Sequence, residues 1–181
     1  MSLSLPVPGS KSMTQRALII AALSDAPVRI HNSLRCDDSE HLSSILTALG
    51  TGLSWDNAVL TVRPAQFTAP LHPLYCGNGG TAIRFASCLS LLTDGELVLD
   101  GDERMRQRPI RPLADSLASL GVRVRFLATE GYPPVALQKT TAVPSKVSVD
   151  ASLSSQFASG LLLVAPRLPG GLQLHLTGEL V

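Results

Sequence analysis

The chain has 181 residues, a formal net charge of +1, 45% hydrophobic residues and only 16% charged ones. It therefore holds enough apolar material for a buried core and too little charge to stay disordered. A net charge near zero argues against a general polyanion binder, and an aromatic content of 4% leaves few rings for stacking nucleic-acid bases. The three cysteines, Cys36, Cys76 and Cys88, form no CxxC pair, so they read as neither a disulfide framework nor a zinc site and suit a reducing cytosol. His31, His41, His72 and His175 are scattered without metal-ligand spacing. The start shows no signal-peptide pattern, and no apolar run approaches the ~20 residues of a membrane span. The expected setting is cytoplasmic, with no membrane, nucleic-acid or metal partner.

In chain order, the turn Pro8-Gly9-Ser10-Lys11-Ser12 opens a helix expected over 12–23. Ser12-x-x-Gln15 reads as a capping box, and Lys11 and Arg16 add two positive charges to that helix end. A strand at 28–30 follows. Asp37-Asp38-Ser39-Glu40 then opens a second helix that stops on Leu49-Gly50, with glycine as its C-terminal cap. Alternating residues around Asp56-Asn57 predict a hairpin over 53–62.

The pattern then starts again. Cys76-Gly77-Asn78-Gly79-Gly80-Thr81 opens an apolar helix expected over 81–93, and a strand at 97–99 follows it. Arg104, Arg106, Arg108 and Arg111 are clustered next. Pro109 fits the first turn of another helix, which stops on Leu120-Gly121. Paired strands follow at 122–126 and 135–137, turning through Gly131. A third turn, Leu153-Ser154-Ser155-Gln156, opens a third apolar helix and a strand at 172–174, and there the chain ends. The unit helix–strand–helix–strand–strand is thus expected twice in full and once cut short, in an α/β fold. The first helices of the two full units are expected to pack in the core, being almost entirely apolar.

Each of the three turns places Gly, Ser, Thr, Asn or Gln at a helix start. Helix N-termini carry unpaired N–H groups and a partial positive charge, which suit anions. Gly79 and Gly80 let backbone approach an anion closely. Arg84, further along that helix, reads most simply as a structural ion pair. Arg108 precedes proline, which favours an extended backbone from which its guanidinium fork can reach a phosphate or carboxylate.

Taken in order, five stretches resemble the enolpyruvyl transferase family, and within it the branch that takes shikimate 3-phosphate, the EPSP synthases. They are Pro8-Gly9-Ser10-Lys11-Ser12 with Arg16-Ala17-Leu18, Gly77-Asn78-Gly79-Gly80-Thr81-Ala82 with Arg84, Asp102-Glu103-Arg104-Met105-Arg106-Gln107-Arg108-Pro109-Ile110, Gly131-Tyr132-Pro133-Pro134, and Ser154-Ser155-Gln156-Phe157. The resemblance implies repeated βαβαββ units, two complete and the third truncated. It assigns residues 1–10 to a strand of the other domain of full-length members, and 11–181 to an incomplete N-terminal domain that binds shikimate 3-phosphate. It implies transfer of the enolpyruvyl group of phosphoenolpyruvate to the 5-hydroxyl of shikimate 3-phosphate, the chemistry that glyphosate inhibits in this family, with no cofactor. By motif, Lys11, Ser12, Arg16, Ser154, Ser155 and Gln156 are expected to bind shikimate 3-phosphate. Lys11, Asn78, Gly80, Thr81, Arg108 and Gln156 are expected to bind phosphoenolpyruvate. No catalytic residue is expected in this half, because the family's acid–base residues belong to the part that follows. The chain alone is therefore expected to be inactive, with a missing C-terminal half as its partner. Two alternatives stay open on the residues: a non-catalytic half that binds anions or a partner, and a relative of the branch that acts on UDP-N-acetylglucosamine. That branch typically has Lys-Asn where this chain has Lys11-Ser12, and a Cys in the loop that here reads Arg104 to Pro109.

Overall fold

The computed structural model describes residues 7–179. The strand expected over 1–10 lies mostly outside them; residues 7–10 have no regular structure and lead into α1 (Lys11–Ala22). The order continues β1 (Val28–Ile30), α2 (Asp37–Ala48), β2 (Gly52–Asp56) and β3 (Val59–Arg63). Next come β4 (Leu74–Tyr75), α3 (Gly80–Leu89), β5 (Glu96–Asp100), α4 (Arg111–Ser119), β6 (Val122–Phe126) and β7 (Val135–Lys139). The last elements are β8 (Lys146–Asp150), α5 (Gln156–Val164) and β9 (Gln173–Thr177). The α/β class read from the sequence is the class observed.

The strands form three small sheets of order β1-β3-β2, β4-β5-β7-β6 and β8-β9. The first is antiparallel throughout, with Trp55 opposite Leu60 and Leu53 opposite Val62. Its two-residue turn puts Asn57 at φ 52°, a conformation asparagine tolerates better than most residues. In the second sheet β4 runs parallel to β5 and the remaining pairs are antiparallel. β8 and β9 are parallel.

Helices α1, α3 and α5 lie in contact with one another, and α2 packs across α1 and α3. α3 is the most enclosed: Ala82, Ile83, Phe85, Ala86, Cys88 and Leu89 are all buried. It can pack on several sides because its residues are small or apolar around the whole circumference. α1 packs in the core as well, but on one face only. Leu18, Ile19, Ala21 and Ala22 are buried, but Met13 is 65% and Ile20 57% exposed. Composition alone cannot show which face of an apolar helix receives a neighbour.

The helix ends correct two readings. The N-cap of α1 is Ser10, whose hydroxyl accepts from the Met13 N–H at 3.4 Å. Ser12 lies inside the first turn, and Gln15, fully buried, caps nothing. The proline in the first turn of α4 is Pro112, and Pro109 stays in the preceding loop. The glycine stops hold. At the end of α2 the Gly50 N–H donates to Thr47 O and the Thr51 N–H to Leu46 O, at 3.0 and 2.9 Å, with Gly50 at φ 110°. That is the paired closure of a Schellman end, which needs a left-handed residue at its turn.

All three thiols are free. Cys88 is wholly buried and its pKa is pushed up by burial; Cys76 is pushed up to about 12, mainly by burial and further by Asp100. A thiolate is the reactive form. A thiol reagent at pH 8 should therefore label only half-buried Cys36 in the native protein, and all three cysteines in denaturant. Rapid native labelling of Cys76 or Cys88 would contradict the packing around α3.

Candidate functional site

Three helix N-termini converge on one face. α1 brings Lys11 and Ser12, α3 brings Gly80, Thr81 and Arg84, and α5 brings Gln156. The loop after β5 adds Arg108, and the turn before α3 adds Asn78. Together they line an open cavity of about 630 Å³. The wall from α2 carries Asp37, Asp38 and His41, and Tyr75 and Asp102 complete the rim.

The charges are not uniform. The Lys11 ammonium lies 2.8 Å from an Asp38 carboxylate oxygen, and this contact raises the Lys11 pKa. Lys11 is thus held charged at the mouth, with its nearest donor already engaged. Arg84 and Arg108 differ: neither has a carboxylate within ion-pair distance among the described residues. Arg84 donates from Nη1 to the Gln156 side-chain oxygen at 2.7 Å, and its guanidinium carbon sits 5.1 Å from the centre of the Phe157 ring. Burial, and then the charge of Arg108, lower its pKa. Arg108 has the extended backbone that its place before proline predicts, φ −97° and ψ 121°, and its guanidinium reaches the Asn78 carbonyl at 3.4 Å.

Both guanidiniums close on Gly80. A Cβ at that position would lie 3.0 Å from Arg108 Nη1 and 3.5 Å from Arg84 Nη1. Two unneutralised guanidiniums over the first turn of a helix suit a phosphate or carboxylate, since the fork geometry and the helix end favour the same charge. The other arginines of the cluster take surface roles. Arg106 is paired with Asp100 at 2.5 Å, Arg111 with Glu130 at 2.8 Å, and Arg104 is exposed.

Of the residues singled out by sequence, Lys11, Ser12, Asn78, Gly80, Thr81, Arg108 and Gln156 meet in this cavity. Arg16 does not line it. It donates to the Ser12 hydroxyl and, at 3.4 Å, to the Ser159 hydroxyl on α5, and lies over the Phe85 ring at 5.4 Å. It therefore joins α1, α3 and α5 beside the cavity. Ser154 and Ser155 flank the site without lining it; Ser154 Oγ accepts from the Gln156 N–H at 3.2 Å. The ion pair expected of Arg84 is replaced by its bond to Gln156. Asp38, His41, Tyr75 and Asp102 line the cavity without a sequence signal that marks them as site residues. Asp37-Asp38 read as helix-start acids, which they are, and nothing local shows that they also face the turn before α3.

A larger open groove, about 820 Å³, runs between α4 and the β8-β9 sheet. It has one helix N-terminus, that of α4, where the first cavity has three, and Lys146 as a further cation. Its Arg111 is already paired with Glu130, and Asp115 and Asp150 share its wall.

The sequence model of the EPSP synthase (3-phosphoshikimate 1-carboxyvinyltransferase) family matches residues 2–181. The chain belongs to the EPSP synthase family. The 3-phosphoshikimate 1-carboxyvinyltransferase of Actinobacillus pleuropneumoniae serotype 3 is 42% identical over 183 residues, covering 97% of this chain and 42% of the relative. That of Vibrio vulnificus is 41% identical with the same coverage. The solved structure of an EPSP synthase from Acinetobacter baumannii superposes with a TM-score of 0.86 at 23% identity, over 97% of this chain and 41% of that one, which shows the shared fold. The chain spans about two fifths of the length of these EPSP synthases. Among its described residues no helix is long and apolar enough to cross a membrane.

Proposed function

We propose that this chain is the shikimate 3-phosphate-binding part of an EPSP synthase, a cytoplasmic transferase of the shikimate pathway. The whole enzyme would join the enolpyruvyl group of phosphoenolpyruvate to the 5-hydroxyl of shikimate 3-phosphate. The observation that carries the reading is the convergence of Lys11, Gly80, Arg84, Arg108 and Gln156, from three helix N-termini and one loop, on a single cavity. Lys11, Ser12 and Gln156 hold shikimate 3-phosphate, with Arg16 fixing Ser12 and with Ser154 and Ser155 beside its phosphate. Arg108, Asn78 and the Gly80-Thr81 turn receive phosphoenolpyruvate, with Lys11 and Gln156 between the two ligands. Residues 11–181 act as one substrate-binding unit, and the remaining length of the relatives corresponds to a further part that supplies proton transfer. That part is the expected partner. Without it, residues 1–181 are expected to show no carboxyvinyl transfer.

Calorimetry tests the binding role. Charge-assisted contacts contribute about 1.5–3 kcal/mol each, so Lys11→Ala should weaken shikimate 3-phosphate binding roughly tenfold or more, and Arg16→Ala, which releases Ser12 rather than a ligand contact, should weaken it less. Unchanged affinity in both variants would refute the assignment. The Arg16 effect is expected through Ser12 and the α1–α5 contact, so it should come with a small loss of stability that Lys11→Ala lacks.

A further inference from the structure

We infer that Arg84 is a positioning residue that fixes the polarity of Gln156, so that Gln156 meets its ligand only as a hydrogen-bond donor. The inference rests on the proposal that shikimate 3-phosphate occupies this cavity. A glutamine amide has a donor end and an acceptor end of almost the same shape, and an unrestrained one can present either. A guanidinium has donors and no acceptor. The atom of Gln156 that faces Arg84 Nη1 at 2.7 Å is therefore the carbonyl Oε1, and the NH₂ is turned away from Arg84. Gln156 Nε2 has no acceptor among the described residues, and Gln156 lines the cavity. Arg84 itself cannot easily turn. Its guanidinium is held over the Phe157 ring, and Phe157 is fully buried at the start of α5. Arg108 is the charge that faces Arg84 across Gly80. The arrangement selects a ligand that offers an acceptor, such as a phosphate, carboxylate or hydroxyl oxygen, and rejects one that offers only a donor. It also makes the two halves of the site interdependent, because the arginine at the Gly80 turn sets the chemistry of the residue at the α5 end.

Gln156→Glu separates the two possible polarities. The new carboxylate keeps, and strengthens, the bond to Arg84, so thermal stability should be unchanged or raised. It replaces the NH₂ with an acceptor oxygen, so shikimate 3-phosphate affinity should fall at least tenfold. Gln156→Met, neutral and without a donor, should also lose affinity, which removes charge repulsion as the sole cause. Arg84→Met removes a cavity charge as well as freeing the amide, so its severalfold weaker binding is expected on either ground and the amide signals of Gln156 decide between them; Arg84→Lys, which retains a donor, should recover part of both. In the unsubstituted chain the Gln156 side-chain NH₂ signals should move downfield on adding shikimate 3-phosphate; in Arg84→Met the movement should shrink. Lys11→Ala is the control for the site. If Lys11→Ala loses affinity while Gln156→Glu binds as before, the polarity inference is wrong and the site stands. If no variant changes affinity, or shikimate 3-phosphate does not bind, the site reading fails and the inference falls with it.

Discussion

Gly160→Val is expected to destabilise the protein by about 3 kcal/mol, the upper range for overpacking a tight core. α3 and α5 cross at this residue. A Cβ at Gly160 would lie 2.7 Å from Cys88 Sγ and 3.4 Å from the Arg84 carbonyl oxygen. Cys88 is wholly buried and α3 is enclosed by neighbours, so relief requires the two helices to separate. For a domain of this size the cost corresponds to a drop in Tm of roughly 6–12 °C. Urea unfolding followed by circular dichroism measures it. The second substitution Cys88→Ala, which removes the nearest clashing atom, should recover part of the loss. A Gly160→Val variant as stable as the parent would mean that α3 and α5 are not in close contact. Since these helices carry Arg84 and Gln156, the site would be mispositioned as well.

Gly80→Val should have the opposite profile, a retained fold and lost binding. The added side chain meets the ends of Arg108 and Arg84, which are guanidinium tips rather than packed backbone. Arg108 is exposed and can swing away at little cost. The price is the two-guanidinium receptor over the α3 N-terminus. With one charge-assisted contact of about 1.5–3 kcal/mol lost, phosphoenolpyruvate or inorganic phosphate should bind tenfold or more weakly. The far-ultraviolet spectrum and Tm should stay close to the parent's. Unaltered anion binding would show that Arg108 and Arg84 do not act over Gly80.

Much of this architecture is legible in the residues, and its gaps have physical causes. Leu49-Gly50 and Leu120-Gly121 mark helix ends because a left-handed turn residue is a local requirement, and both glycines have positive φ. The hairpin turn at Asn57 follows the same logic. β1 falls on the expected residues. β4 is two residues long and parallel to β5, so it has no periodicity to detect. β8 does alternate, with Val147 and Val149 inward between exposed Lys146, Ser148 and Asp150, so its period is present in the residues. The capping error at Ser12 arose because Ser10 and Ser12 are both competent caps, and only the backbone decides between them. Lys11, Ser12, Gly80, Thr81 and Gln156 sit at helix starts, and the family resemblance marks them, with Asn78 and Arg108, as candidate ligands. Arg84, one turn into α3, stands in the family motif and reads as one half of an ion pair, but its actual partner does not show, since that is an α5 side chain 72 positions away. Asp38 and Met13 show the same limit: the pattern gives their helices, and only the packing gives the direction in which they face.

The central claim, that the cavity between the N-termini of α1, α3 and α5 binds shikimate 3-phosphate, is tested most directly by mapping amide shifts. The 181-residue chain, labelled with nitrogen-15, would be titrated with shikimate 3-phosphate. Saturable shifts are expected at Lys11, Ser12, Asn78, Gly80, Thr81 and Gln156, with the Arg84 and Arg108 side-chain signals moving in step. Shifts confined to the groove between α4 and β8, at Ser116, Ser119, Lys146 and Ser148, would contradict the account, because none of those residues lines the cavity between the three helix N-termini.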